Sequence, residues 1–142
     1  MIAELPPYVD DNTVPMALRV AAIDAFFVHL RNLSEFLVKP WDRRLIHRRS
    51  YASDFHLDEA LRSRLLANYE FASRHVGHFN AERVPAKDSS PHIVVTGAQL
   101  RGHADDVFDA MEAFVKHLAA KASEHAVDFR EWLAQAKARR VD

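Results

Sequence analysis

The sequence predicts an all-α protein, a single-domain helical bundle of three long helices with a short helix near residues 40–50. Three observations carry this expectation. The three glycines all lie between positions 77 and 102, and the six prolines lie before position 41 or between 85 and 91. Long stretches free of both breakers read as helices. Within those stretches apolar residues recur at alternating steps of three and four, the spacing of one helix face. The one β-like run, His92-Ile93-Val94-Val95-Thr96, has no second strand to pair with, so it reads as an extended loop.

Taken in order, residues 1–12 with Pro6-Pro7 read as an extended lead-in. A first long helix starts near Asn12 or Thr13, with Pro15 in its first turn, where a missing N–H costs little. Its stripe is Leu18, Ala22, Ala25, His29, Leu33 and Phe36, and Pro40 ends it. Residues 39–50 are basic and suit a helical turn or loop. A second helix opens in Ser53-Asp54-Phe55, where a polar side chain caps and Asp58 and Glu59 complement the helix dipole. Its stripe runs Leu57, Leu61, Leu65, Asn68, Ala72, His75 and Phe79. Residues 85–102 read as an irregular connection. One long C-terminal helix spans 103–139, with an unbroken stripe from Val107 through Phe114, Ala122 and Phe129 to Ala136 and room for a bend near Ser123.

At 142 residues the chain is one domain, residues 1–142, able to bury about two-thirds of its unfolded surface. A hydrophobic share of 49% against 27% charged residues argues for a packed core rather than disorder. With no cysteine, disulfides, thiolate metal sites and cysteine nucleophiles are all excluded. A net charge of −1 gives no global pull on nucleic acid. No apolar run reaches the roughly 18 residues of a membrane span, and Met1 to Asn12 lacks the pattern of a secretory signal. The expectation is a soluble, cytoplasmic protein without a membrane partner. Walker-type phosphate loops, the Gly-x-Gly-x-x-Gly fingerprint and the Gly-x-Ser-x-Gly elbow are absent, and no cofactor is indicated.

Nine histidines is a high count, and the site argument begins there. His29, Asn68 and His75 fall on apolar stripes, where burial without partners costs roughly 1–3 kcal/mol each. Arg31, Asn32 and Arg83 lie beside them, giving a polar cluster between the first two long helices. A structural reading lets these groups hydrogen-bond one another and fix helix register. A metal reading takes His29, His75 and His78 as three imidazole ligands. A phosphate reading uses Arg74 and His78: the guanidinium fork binds phosphate while the imidazole moves a proton near neutral pH. Arg43, Arg44, Arg48 and Arg49 then supply contacts to an RNA or nucleotide backbone. Arg31 and Glu35 sit at i,i+4 and suit a surface ion pair.

Several segments carry a resemblance: His29-Leu30-Arg31-Asn32-Leu33-Ser34-Glu35-Phe36-Leu37, Ala52-Ser53-Asp54-Phe55, and Arg74-His75-Val76-Gly77-His78-Phe79-Asn80-Ala81-Glu82-Arg83. Together they resemble an uncharacterised family of bacterial helical proteins with a His-x-Arg-x-Leu-x-x-Phe helix, an Asp-Phe helix start and a His-Phe/Leu-x-x-x-Arg exit. The likeness covers roughly residues 15–85 and implies no activity. More distantly the chain is similar to the HEPN superfamily, small helical domains that include RNases and inactive nucleotide-binding partners, often dimeric. That family places four to six residues between its arginine and histidine, whereas Arg74 and His78 are separated by three. The leading expectation is a helical binding or interaction domain, dimeric through the C-terminal helix. A HEPN-like RNase or nucleotide-binding domain using Arg74 and His78 is the alternative, and a histidine-bound metal site follows it.

Overall fold

The computed structural model describes residues 2–40, 46–77 and 95–140. Five α-helices follow one another: α1 (Pro6–Asp10), α2 (Met16–Val38), α3 (Glu59–Gly77), α4 (Gly97–Ala120) and α5 (Ala126–Ala138). A single 3-10 turn covers Arg48–Ser50, which is what the expected short helix near 40–50 amounts to among the described residues. No strand occurs among them, so the all-α expectation holds. The count of three long helices does not, because the expected C-terminal helix is two.

The lead-in is not extended. Pro6 and Pro7 occupy the first positions of α1, where a missing N–H is harmless and a fixed φ suits the helix. Ile2, Ala3, Pro6 and Val9 are buried, so this segment is core. The Gly97 N–H donates to the Asp10 carboxylate, 2.9 Å from Oδ1 and 3.0 Å from Oδ2, which fastens α1 to the start of α4. A Cβ at position 97 would overlap Asp10 Oδ2 and lie 2.6 Å from the Pro6 carbonyl oxygen. That close approach requires glycine.

Along α2 the buried residues are Ala22, Phe26, Phe27, Leu30, Ser34, Leu37 and Val38. Leu18, expected on the buried stripe, is 60% exposed. The buried face therefore lies about one residue out of phase with the expected stripe, because α2 carries apolar residues on most of its circumference and periodicity alone cannot rank its faces. Phe26, Phe27 and Leu30 pack toward α3, and α2 and α3 form the largest helix–helix interface.

The start of α3 is also later than expected. Phe55 is 3% exposed and lies 5.1 Å from the Phe114 ring, which holds the chain outside the helix there. The helix begins at Glu59, with Asp58 Oδ1 accepting the Leu61 N–H at 2.9 Å in the manner of an N-cap. Once begun, α3 buries Leu61, Leu65, Asn68 and Ala72 on one face as its spacing predicts. Phe79, the expected end of that stripe, lies outside the described residues, as do positions 85–94 of the expected connection.

Residues 97–102, expected to be irregular, are the first turns of α4. Thr96 caps it reciprocally: Thr96 Oγ1 accepts the Gln99 N–H at 3.2 Å, and Gln99 Oε1 accepts the Thr96 N–H at 2.9 Å. The break between α4 and α5 comes at Ala122, whose φ is 50°. The Ser123 N–H bonds the Leu118 carbonyl at 3.0 Å and the Ala122 N–H bonds Ala119 at 3.1 Å, the pairing of a Schellman C-cap. Alanine stands where glycine is usual, so no breaker residue marks the turn. Beyond this reversal α5 runs back along α4, with Phe129 packed 5.2 Å from Phe114 and Lys137 paired with Glu112.

The core has two parts. One holds Phe26, Phe27, Leu30, Leu65, Leu100 and Val107 between α1, α2, α3 and the first half of α4. The other holds Phe55, Phe114, Leu118 and Phe129 beneath α5. Phe36, Leu57, Met111 and Leu133 touch both.

Candidate functional site

The polar cluster expected between α2 and α3 lies instead between α3 and α4. Asn68 is 4% exposed, and its Nδ2 donates to Asp106 Oδ2 at 3.1 Å. That bond fixes the amide orientation, so Asn68 Oδ1 faces His103 and accepts its Nδ1–H at 2.8 Å. Arg64 Nε donates to the other Asp106 oxygen at 2.6 Å. The chain Arg64–Asp106–Asn68–His103 thus uses both functions of the buried amide. Burial holds His103 below its ordinary pKa, with the Asp106 charge opposing and His75 reinforcing the shift. His103 is therefore a neutral donor at Nδ1.

His75 reaches back along its own helix, donating Nδ1–H to the Phe71 carbonyl at 2.9 Å. Its ring stacks on Phe27 of α2 at 4.5 Å and lies 4.4 Å from Phe71, which in turn lies 5.3 Å from His103. His75 and Asn68 are thereby linked through Phe71 and His103. His29 is not brought to them: it is half-buried, burial lowers its pKa, and it hydrogen-bonds neither among the described residues. Arg31 turns away from Glu35 to lie 5.8 Å from the Tyr69 ring, which Lys39 Nζ approaches to 4.0 Å. Asn32 and Arg74 are exposed, Arg74 in the last turn of α3. His78, Arg83, Arg43 and Arg44 lie outside the described residues. Among those residues no group of three His, Cys, Asp or Glu side chains is arranged to hold a metal.

His47, which lies on none of the stripes, is 2% exposed and occupied at both nitrogens. Its Nδ1 accepts the Arg49 N–H at 3.1 Å, and its Nε2–H donates to the Lys39 carbonyl at 2.5 Å. This tautomer makes Arg48 Nη1, 3.2 Å from Nε2, a donor facing a donor. Burial lowers the His47 pKa despite the Lys39 bond. Burial, then the neighbouring Arg49 and Arg62 charges, also lower that of Arg48. His47 ties the 3-10 turn to the end of α2 and so sets where Tyr51 lies.

Tyr51 forms part of a recess away from the polar cluster. A groove of about 740 Å³ opens between α2, α4 and α5, within the range of about 300–1,000 Å³ common for small-molecule sites. Phe36 of α2 and Phe129 of α5, both in its lining, stack on each other at 6.3 Å, and Met111 of α4 lines it as well. Trp132, 60% exposed, forms an outer wall with its ring 5.3 Å from Phe129. Among the described lining residues the polar side-chain groups are the Asn32 amide and Glu35 carboxylate of α2, with the Tyr51 hydroxyl and the Trp132 indole N–H. Glu35 makes no side-chain hydrogen bond or ion pair among the described residues. The signal for this groove in the sequence was the second apolar face of α2, Leu33 and Phe36, but α5 had to fold back before it became a concavity.

Two kinds of polar group therefore exist in this bundle. Those of α3 and α4 are spent on one another, which suits a brace and not a proton relay, since an amide separates His103 from Asp106. Those of the groove are unspent. Compared with known families, with curated proteins and with solved structures, the chain matches none.

Proposed function

We propose that this protein is a helical binding domain, that its ligand seat is the groove between α2, α4 and α5, and that the polar cluster braces the helices framing it. The observation that carries the reading is the recess itself, about 740 Å³ of aromatic and aliphatic wall with two polar groups at α2. Binding sites for small molecules combine this kind of apolar concavity with a few placed polar groups. An exposed Trp132 beside buried Phe129 supplies a large, stiff contact surface of the type favoured at recognition sites.

Support also comes from how the polar groups are used. Asn68, His103, Asp106 and Arg64 complete one another's hydrogen bonding, so the cluster offers stability and register. No helix among the described residues is long and apolar enough to cross a membrane.

The test is saturable binding of the uncharged fluorophore N-phenyl-1-naphthylamine, read by its emission and by energy transfer from Trp132. Filling the groove with Met111→Trp or Ala136→Trp should abolish binding while leaving the helical circular dichroism intact. Absence of saturable binding, or binding unaffected by both variants, would overturn the reading. Light scattering provides the competing outcome: a dimer dissolved by Trp132→Ala would make a second copy of the chain the occupant.

A further inference from the structure

From the charge pattern of the groove we infer that its ligand is a cationic amphiphile, an amine with an aliphatic or aromatic body; this rests on the groove being the binding site. Among the described residues, Glu35 is the one charged side chain that lines the recess, and none of the described lysines or arginines lines it. Its natural local partner is absent. Arg31, one helical turn earlier on the same face, lies instead against Tyr69, and Lys39, one turn later, lies on that same ring at 4.0 Å. Both nearby cations of α2 are held on the α3 side by one tyrosine, and Glu35 is left at the groove without a counter-charge among the described residues.

A carboxylate beside an apolar wall attracts a cation more strongly than one in open water, because the low-dielectric side cannot screen it. The aromatic walls work in the same direction, since their π-faces favour a cation and repel an anion. Asn32, one turn along the same helix, offers both a donor and an acceptor to a hydroxyl or amide on the ligand. A protonated amine therefore meets Glu35 while its apolar body lies against Phe36, Met111, Phe129 and Leu133. A fatty carboxylate of the same length meets the wrong charge.

The experiment compares three probes with one tail: octylamine, 1-octanol and octanoate, titrated into the full chain by calorimetry. Octylamine, protonated at neutral pH like a lysine side chain, should bind roughly five- to tenfold more tightly than octanol and octanoate at low salt. High salt should narrow the gap. Glu35→Gln should erase the preference, and Glu35→Lys should reverse it in favour of octanoate, each with an unchanged melting temperature. Equal binding of the three probes, or a preference that survives Glu35→Gln, overturns the inference and leaves the groove reading standing. If no probe binds and N-phenyl-1-naphthylamine does not bind either, the groove reading has failed and this inference falls with it.

Discussion

The carboxylate of Asp10 closes on the backbone N–H of Gly97, 87 residues further along the chain, at 2.9 Å and 3.0 Å. The contact places a negative side chain at the positive end of α4 and fills the space where any other residue would carry a Cβ. Gly97→Ala should cost about 1–3 kcal/mol through overpacking, despite alanine's better helix propensity. Asp10→Ala should cost about 1 kcal/mol. The two effects should be less than additive in a double-mutant cycle, because they break one contact. Urea unfolding measures all three, and a Gly97→Ala protein as stable as the parent would refute the packing argument.

Ala122 offers the opposite case, a residue with a side chain where none is wanted. Its φ of 50° costs alanine roughly 1 kcal/mol that glycine does not incur. Ala122→Gly should therefore raise the melting temperature by about 2–4 °C, and Ala122→Val should lower it by at least as much. A loss of stability on Ala122→Gly would mean the left-handed turn is wrong.

The brace between α3 and α4 predicts separable effects on stability and binding. Asn68→Leu leaves the His103 donor and one Asp106 oxygen without their buried partner. A loss of about 2–4 kcal/mol is expected. Affinity for N-phenyl-1-naphthylamine, measured well below the melting temperature, should stay within about twofold. A stable Asn68→Leu protein that no longer binds would give the cluster a direct role in recognition.

Acid should weaken the fold earlier than carboxylate titration requires. Burial lowers the pKa of His29, His47 and His103 below the ordinary 6.5. The unfolded chain then binds more protons than the native one between those folded values and 6.5, so stability rises with pH there. Their contribution is complete above pH ~6.5 and is lost as pH falls below it. Asp54, held at about 2 by hydrogen bonds from Lys121 and His117, keeps its contribution until far lower pH. Denaturant midpoints at pH ~7.5 and ~5.5 check this, and His103→Phe should flatten part of the slope. A midpoint unchanged across that interval would show that these histidines are not buried as neutral bases.

How much of this was legible in the sequence depended on whether the deciding signal was local. The face of α3 was readable because Leu61, Leu65, Asn68 and Ala72 stand at helical spacing among polar residues. The face of α2 was not, because Phe26, Phe27, Leu30, Leu33 and Phe36 give it apolar surface in two directions, one for the core and one for the groove. The helix break carries no local mark because it uses alanine, and α1 carries none because Pro6-Pro7 fits a helix start as well as an extended chain. Asn68 was recognised as a buried polar group, but its partner His103 lies 35 residues away and is chosen by topology. The i,i+4 spacing pairs Glu35 with Arg31, but Tyr69, chosen by topology, takes the guanidinium instead.

The reversal at residues 121–125 has a geometric consequence for recognition. Since α5 returns along α4 from that single corner, the backbone dihedral of one alanine sets the angle at which the far wall stands from α2. The width of the opening, and hence the girth of the molecule it admits, is decided at a point that touches nothing inside it. Substitutions at the corner should then retune size selectivity while every side chain facing the guest stays the same.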